Sequence, residues 1–156
     1  MSRNIFNYSL YSIVDVTDSA DLWEGKDPVR PWLSSHFRTS SGRKVYSLKN
    51  KDDYAAFLCL ARTTEVPEDE VGLKKLSCPN GKIAVPYTVW SYKAGAGKEI
   101  VNRVLGIASN DPSIDRVVTL SPVTAMAKKF HLKNGAIELK RSIASVNFEY
   151  KKSGGK

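Results

Sequence analysis

Stretches of alternating or helically spaced apolar residues, separated by clusters of Gly, Pro, Asn and Asp, predict the elements of this chain. Ile5 to Val16 mixes β-branched and aromatic residues, with Tyr8, Leu10, Ser12 and Val14 on one side and Tyr11 and Ile13 on the other, as a strand does. Thr17 to Arg43 is punctuated by Asp18, Asp21, Gly25, Pro28, Pro31 and Gly42, with short helices predicted at Ala20 to Trp23 and Trp32 to Phe37. Lys44 to Leu48 reads as a strand. Tyr54 to Thr64 holds the continuous run Ala-Ala-Phe-Leu-Cys-Leu-Ala, suited to a central strand or a buried helix; its Cys and Phe and the pair Thr63-Thr64 favour the strand. Glu65 to Lys82 is a polar loop with one helical turn around Glu68 to Leu73.

Ile83 to Tyr92, rich in Val, Tyr, Thr and Trp, resumes a strand. Lys98 to Ser109 places Ile100, Val101, Val104, Leu105, Ile107 and Ala108 at spacings of three and four, an amphipathic helix. Asn110-Asp111-Pro112 stops it, and Arg116 to Leu120 is a short strand. Pro122 suits the first turn of a second helix running to about Asn134, Ser121 suits its cap, and Gly135 suits the left-handed position after its end. Ile137 to Arg141 and Ser145 to Tyr150 alternate as two closing strands. The order implies an α/β fold: a mixed, mostly antiparallel sheet with helices on both faces and one parallel strand-helix-strand crossover. There is no internal repeat.

Composition narrows this picture without choosing a function. With 156 residues, 42% of them hydrophobic, the chain can bury one core, so a single domain is expected over residues 1–150, with a frayed basic tail at residues 151–156. No apolar stretch approaches the roughly 20 residues that cross a bilayer, and Met1-Ser2-Arg3-Asn4 lacks the apolar core of a secretory signal; no membrane partner and a cytoplasmic location are the expectation. Cys59, Cys78 and two distant histidines give no metal-ligand spacing. The net charge of +8 suits nucleic acid, an acidic protein or a phosphate-rich cofactor equally, and a merely solvated basic surface as well.

The first chemical feature is Lys93-Ala94-Gly95-Ala96-Gly97-Lys98, between the predicted strand and helix. Backbone N–H groups at a glycine turn that opens a helix converge on an anion, and Lys93 and Lys98 add charge. The P-loop pattern would need glycine at Tyr92 and Ser or Thr at Glu99, and the dinucleotide fingerprint a third glycine at Ile100, so neither is present. An ordinary tight turn is the alternative.

This order and this turn resemble the GNAT acyltransferase superfamily, whose acyl-CoA pyrophosphate rests on a loop of pattern Gln or Arg, two residues, Gly, one residue, Gly or Ala. Gly95 and Gly97 fit; Tyr92 stands where the Gln or Arg would be. The resemblance covers residues 83–150. It implies acetyl-CoA or another acyl-CoA as co-substrate, an unidentified amine acceptor, a protein or nucleic acid among the candidates, and cofactor contacts from Trp90, Tyr92, Lys93, Gly95, Ala96, Gly97, Lys98 and Asn134. The backbone N–H that polarises the thioester would come from near Trp90 or Ser91.

A second, more local resemblance is to the catalytic domain of malonyl-CoA decarboxylases. It rests on Thr119-Leu120-Ser121-Pro122, Phe130-His131-Leu132-Lys133-Asn134-Gly135-Ala136 and Ser145-Val146-Asn147-Phe148-Glu149-Tyr150. It implies chemical roles for Ser121 and His131. His131 would be a general acid of near-neutral pKa, with a hydrogen-bonded structural histidine as the alternative. For Ser121 the alternative is the helix cap. The acceptor pocket would be built by Asp18 to Arg43, with Trp23, Trp32, His36 and Phe37 as candidate walls, while Glu65, Glu68, Asp69 and Glu70 are loop carboxylates among which no amine-side base stands out. Three functions follow: acyl transfer to an amine, taken first; decarboxylation of malonyl-CoA or a related thioester; and a basic binding protein on the same scaffold without catalysis.

Overall fold

The computed structural model describes residues 10–152. Eight strands and four helices follow in the order β1 (Ser12–Asp15), α1 (Ser35–Thr39), β2 (Lys44–Asn50), β3 (Asp53–Thr63), α2 (Glu70–Leu76), β4 (Ile83–Ser91), α3 (Ala96–Ser109), β5 (Arg116–Val118), β6 (Ser121–Pro122), α4 (Ala125–Lys133), β7 (Ile137–Arg141) and β8 (Ser145–Tyr150), with a 3-10 turn at Ala20–Leu22. They form one mixed sheet, β1-β2-β3-β4-β5-β8-β6, with β7 on the other edge of β8. Every pairing is antiparallel except β4–β5, joined through α3. Positions 5–9 of the expected first strand lie outside the described residues. No helix among the described residues is long and apolar enough to cross a membrane.

The continuous apolar run of β3 is explained by burial on both faces. Ala56, Leu58 and Leu60 meet Ile100, Val101 and Val104 of α3, whereas Phe57, Cys59 and Ala61 share the opposite core with Trp23 and with Leu73 of α2. Helices therefore cover both faces.

The functional region arises where β4 and β5 part. Their pairing covers Ile83↔Arg116 and Ala84↔Val117, and beyond it a hydrogen bond from Leu120 N to Pro86 O (3.1 Å) is the last backbone link between β4 and the segment after β5 among the described residues. Two features of β4 bend it away. Pro86 has no N–H for a ladder, and Tyr87 is an extra residue, since the β3 partners step from Cys59↔Thr88 to Leu60↔Pro86. β5 continues instead along β8, and the two strands open a wedge.

One expectation is corrected here. Ser121 and Pro122 extend the sheet against Val146 and Ser145, and α4 starts three residues later, capped by Thr124, whose hydroxyl accepts from Ala127 N at 3.1 Å. Ser121 is not a helix cap. A residue before proline is pushed to extended backbone, which a strand and a cap position share, so the local sequence fits both. Gly135 does take the left-handed conformation after α4, with φ of 100°. At the other end Lys152 Nζ donates to the carbonyls of Asp111 and Ile114 in the turn after α3.

Candidate active site

The wedge is a cavity of about 580 Å3 walled by β4 from Pro86 to Ser91, by Ser121 and Pro122 of β6, by the α4 side (Thr124, Met126, Ala127, Phe130, His131), and by Pro28 and Val29 from the loop before α1. It is largely apolar. None of the residues lining it is Asp, Glu, Lys or Arg.

His131 reaches this cavity from the last turn of α4 and is only 7% exposed. Its ring stacks on Phe148 (centroids 5.1 Å apart, planes at 28°) and meets Phe130 edge-on at 5.1 Å. Burial lowers its pKa to about 4, so the ring is neutral near pH 7 and the expected near-neutral pKa does not hold for the ligand-free site. Nδ1 lies 2.7 Å from the Tyr150 hydroxyl. Burial raises Tyr150 to about 12, and a hydrogen bond from the Asn134 side chain opposes that rise. Either the Tyr150 hydroxyl or His131 Nδ1 is the donor of the bond between them, and the imidazole tautomer sets which.

Ser121 lies across the wedge, buried. Its Oγ is 2.7 Å from Thr119 Oγ1, and Thr119 Oγ1 also accepts from Phe148 N at 3.1 Å. The bond between the two hydroxyls holds that of Ser121 at the cavity wall, with either oxygen able to be the donor. Asn147 fixes this corner by donating to Thr119 O (2.8 Å) and Pro67 O (2.9 Å).

A buried ionic brace holds the far wall. Arg30 Nε donates to Tyr87 O and Nη2 to Leu120 O, both at 2.8 Å, so one guanidinium ties together the two strands that have separated. Its Nη1 pairs with Glu70 at 2.5 Å. Asp27 accepts from Val29 N (2.8 Å), Arg30 N (3.1 Å) and Thr88 Oγ1 (3.1 Å), and Arg38 Nη1 pairs with it at 2.7 Å. This turn carries Pro28 and Val29 to the cavity.

Of the residues singled out from sequence, Trp90, Ser91, Ser121 and His131 line this cavity. Lys98 and Asn134 line a smaller adjoining one of about 290 Å3 that shares Met126 and Phe130 with it. Gly95, with φ of 80°, is the N-cap of α3 and no side chain caps that end, which leaves first-turn N–H groups for a ligand. Gly97 faces Phe130 and Ser91 Oγ; Ala96 is buried, and Lys93 is exposed. Tyr92 is held on the rim by Trp90 Nε1, which donates to its hydroxyl at 3.1 Å. Lys93, Gly95, Ala96, Gly97 and Tyr92 line neither cavity.

The expected acceptor walls are corrected in part. Trp23 is core, its Nε1 bonded to Val16 O at 2.8 Å; Trp32 is exposed with its Nε1 on Glu70; Phe37 packs edge-on against Tyr87; His36 is exposed on α1. None of the four lines the cavity, and Pro28 and Val29 of the same segment take that place. The loop carboxylates are also elsewhere: Glu68 pairs with Lys140, Asp69 caps α2, and Glu70 joins the brace. Sequence reasoning missed Thr119, Tyr150, Asp27, Arg30 and Arg38. A basic residue buried among apolar ones carries no local signature.

A splayed pair of parallel strands, a crossover helix opened by a glycine turn, and a mostly antiparallel sheet define the GNAT fold. No protein-family model matches the sequence, and no curated protein matches it significantly. Solved structures do match in fold. A GNAT-like decarboxylase, GphF, in complex with isobutyryl-CoA is 15% identical, covering 89% of this chain and 98% of that one, with a TM-score of 0.68. The Campylobacter jejuni N-acetyltransferase PseH is 10% identical, with coverages of 93% and 100% and a TM-score of 0.62. A malonyl-CoA decarboxylase from Cupriavidus metallidurans is 19% identical over 76% of this chain, with a TM-score of 0.52; the match spans 33% of that longer protein. At these identities the likeness is one of fold.

Proposed function

We propose that the chain acts on an acyl-CoA thioester lying in the wedge, and that its reaction is decarboxylation of a malonyl-type thioester. The observation that carries this reading is an apolar cavity bordered by Ser121 and His131 and lined by no Asp, Glu, Lys or Arg. The cavity has the size of a small-molecule site, and β4 beyond Pro86 offers backbone without a β5 partner for the thioester and its amide-bearing arm.

An apolar wall holds the β-carboxylate poorly and its neutral product, carbon dioxide, well. As the bond from the α-carbon to the carboxylate breaks, its electron pair moves to the thioester, and the Ser121 hydroxyl donates a hydrogen bond to the enolate oxygen. The substrate's own negative charge raises the His131 pKa from about 4, so the ring takes a proton when a carboxylated substrate arrives. His131 then gives one proton to the α-carbon and returns to its neutral resting form. The sum is malonyl thioester plus one proton giving acetyl thioester plus carbon dioxide.

Acyl transfer to an amine is the second reading, favoured by the shared fold with an N-acetyltransferase. It needs a base for the ammonium and an acid for the departing thiolate, and a neutral His131 has no ionised proton to give. The test incubates the protein with malonyl-CoA and no amine. Carbon dioxide and acetyl-CoA in equal amounts, lost in His131→Ala, are expected. No carbon dioxide, together with acetyl groups reaching a polyamine or peptide amine, overturns decarboxylation in favour of transfer.

A further inference from the structure

Three arginines are almost fully enclosed, Arg30 and Arg38 at 4% exposure and Arg43 at 3%, and they are not equally satisfied. Arg30 pairs with Glu70 and Arg38 with Asp27, whereas Arg43, next to the start of β2, has no carboxylate partner among the described residues. Its Nε donates to the Phe37 carbonyl, and its guanidinium lies over the Phe37 ring, 4.3 Å from the centroid. Two of the three solvent-sealed side-chain polar atoms with no hydrogen-bond partner among the described residues are Arg43 Nη1 and the Tyr87 hydroxyl. Both groups border one ring, since Phe37 also meets Tyr87 edge-on with centroids 5.9 Å apart. Two enclosed donors beside one ring, one of them charged, ask for an acceptor that carries negative charge. No neighbouring side chain supplies it. Asp27 and Glu70 are engaged by Arg38 and Arg30. Burial pushes the Cys59 thiol up to about 12 and the Tyr87 phenol well above its ordinary value, so both keep their protons near pH 7.

We propose that Arg43 Nη1 and the Tyr87 hydroxyl hold a monovalent, halide-sized anion in the core beside Phe37. A multivalent oxyanion fits less well, because it brings more charge and more acceptors than one guanidinium and one hydroxyl satisfy. A water would answer the hydroxyl but leave the positive charge uncompensated. This site does not depend on the thioester reading, yet it touches the wedge through Tyr87, the extra residue of β4, which lines that cavity and whose carbonyl Arg30 holds. The anion fixes the side chain of the residue whose backbone Arg30 fixes.

Bromide is the probe. Thermal unfolding of the full chain is followed at constant ionic strength while sodium gluconate is exchanged for sodium bromide, and crystals soaked in bromide are measured at the bromine absorption edge. The native midpoint is expected to rise along a saturating curve, by about 3–5 °C at ten times the dissociation constant. Bromine density is expected within hydrogen-bond reach of Arg43 Nη1 and the Tyr87 hydroxyl. Tyr87→Phe should weaken the bromide dependence about ten-fold, and Arg43→Met, which puts an apolar chain in place of the charge, should abolish it. A rise of the same size in native and Arg43→Met is a general salt effect and overturns the site. So does a native midpoint that bromide leaves unmoved, or bromine density confined to the surface with a water beside Arg43. Should Arg43→Met fail to fold, the bromine density and the Tyr87→Phe titration decide.

Discussion

Acidification should unfold this protein through His131 before its carboxylates come into play. In the fold the imidazole titrates at about 4, against 6.5 for the ordinary side chain, because burial disfavours the charged ring. The sign follows from proton counting. Between these two values the unfolded chain binds a proton that the native site refuses, so stability is complete above about pH 6.5, falls as the pH drops, and levels off below about pH 4. The full difference corresponds to roughly 3 kcal/mol, of which about 2 kcal/mol is lost between about pH 7.5 and pH 5. Asp111 and Glu149 are held below the usual carboxylate range, Asp111 by hydrogen bonds from Ser113 and Glu149 by Arg116, and their contributions fade at lower pH. Urea unfolding across this range measures the slope, and His131→Gln, with an uncharged side chain able to face Tyr150, should lack most of it. A native His131 proton resonance titrating near 6.5, or an unchanged slope in the variant, refutes the argument.

Three further outcomes are expected. Binding of malonyl-CoA should draw close to one proton from solution near pH 6, seen as buffer-dependent heat, whereas acetyl-CoA should draw almost none; equal uptake by both removes the link between substrate charge and His131. Arg30→Met leaves Glu70 and the carbonyls of Tyr87 and Leu120 without their guanidinium, at a cost of about 3–5 kcal/mol in urea unfolding; a loss below about 1 kcal/mol would show that the brace is not needed. Two glycines should respond oppositely to alanine. Gly106 lies inside α3 with open space around it, so Gly106→Ala gains about 0.5–1 kcal/mol, while Gly95→Ala, at φ of 80°, loses about 1 kcal/mol, both read from thermal unfolding.

Elements defined by local period were legible in the sequence. The helix over Ala96–Ser109 and the strands Ile83–Ser91, Ile137–Arg141 and Ser145–Tyr150 stand within two residues of their patterns, and β3 was readable once its residue types were weighed against a buried helix. Ser121 was ambiguous because a pre-proline residue has the same backbone shape in a strand as at a cap. The expected acceptor walls failed for another reason. Aromatic residues in that segment fit either a pocket wall or local packing; Trp23 spends its N–H on Val16 O inside the core, while small Pro28 and Val29 are brought to the wall by Asp27. The charged brace spans 57 and 90 residues along the chain from Arg30 to its carbonyl partners, a separation over which no spacing rule operates.

The brace and the acid share one cause. Parting β4 from β5 at Pro86 and Tyr87 creates the cavity, but it also strips ladder partners from two carbonyls beside it, and burying these unpaired would cost about 1–3 kcal/mol each. Arg30 satisfies both at once, so the wedge stays open without a lining charge. Burial beside this apolar cavity lowers the His131 pKa, and the Tyr150 hydroxyl anchors the ring at Nδ1. On the proposed reaction, an acid that charges only when an anionic substrate fills the cavity therefore depends on an arginine that does not line it. Arg30→Lys, keeping the charge but unable to reach both carbonyls and Glu70 together, should let water into the wedge and move the His131 midpoint upward from about 4, measurable on the same proton resonance. A midpoint unmoved in a folded Arg30→Lys variant would separate the two features.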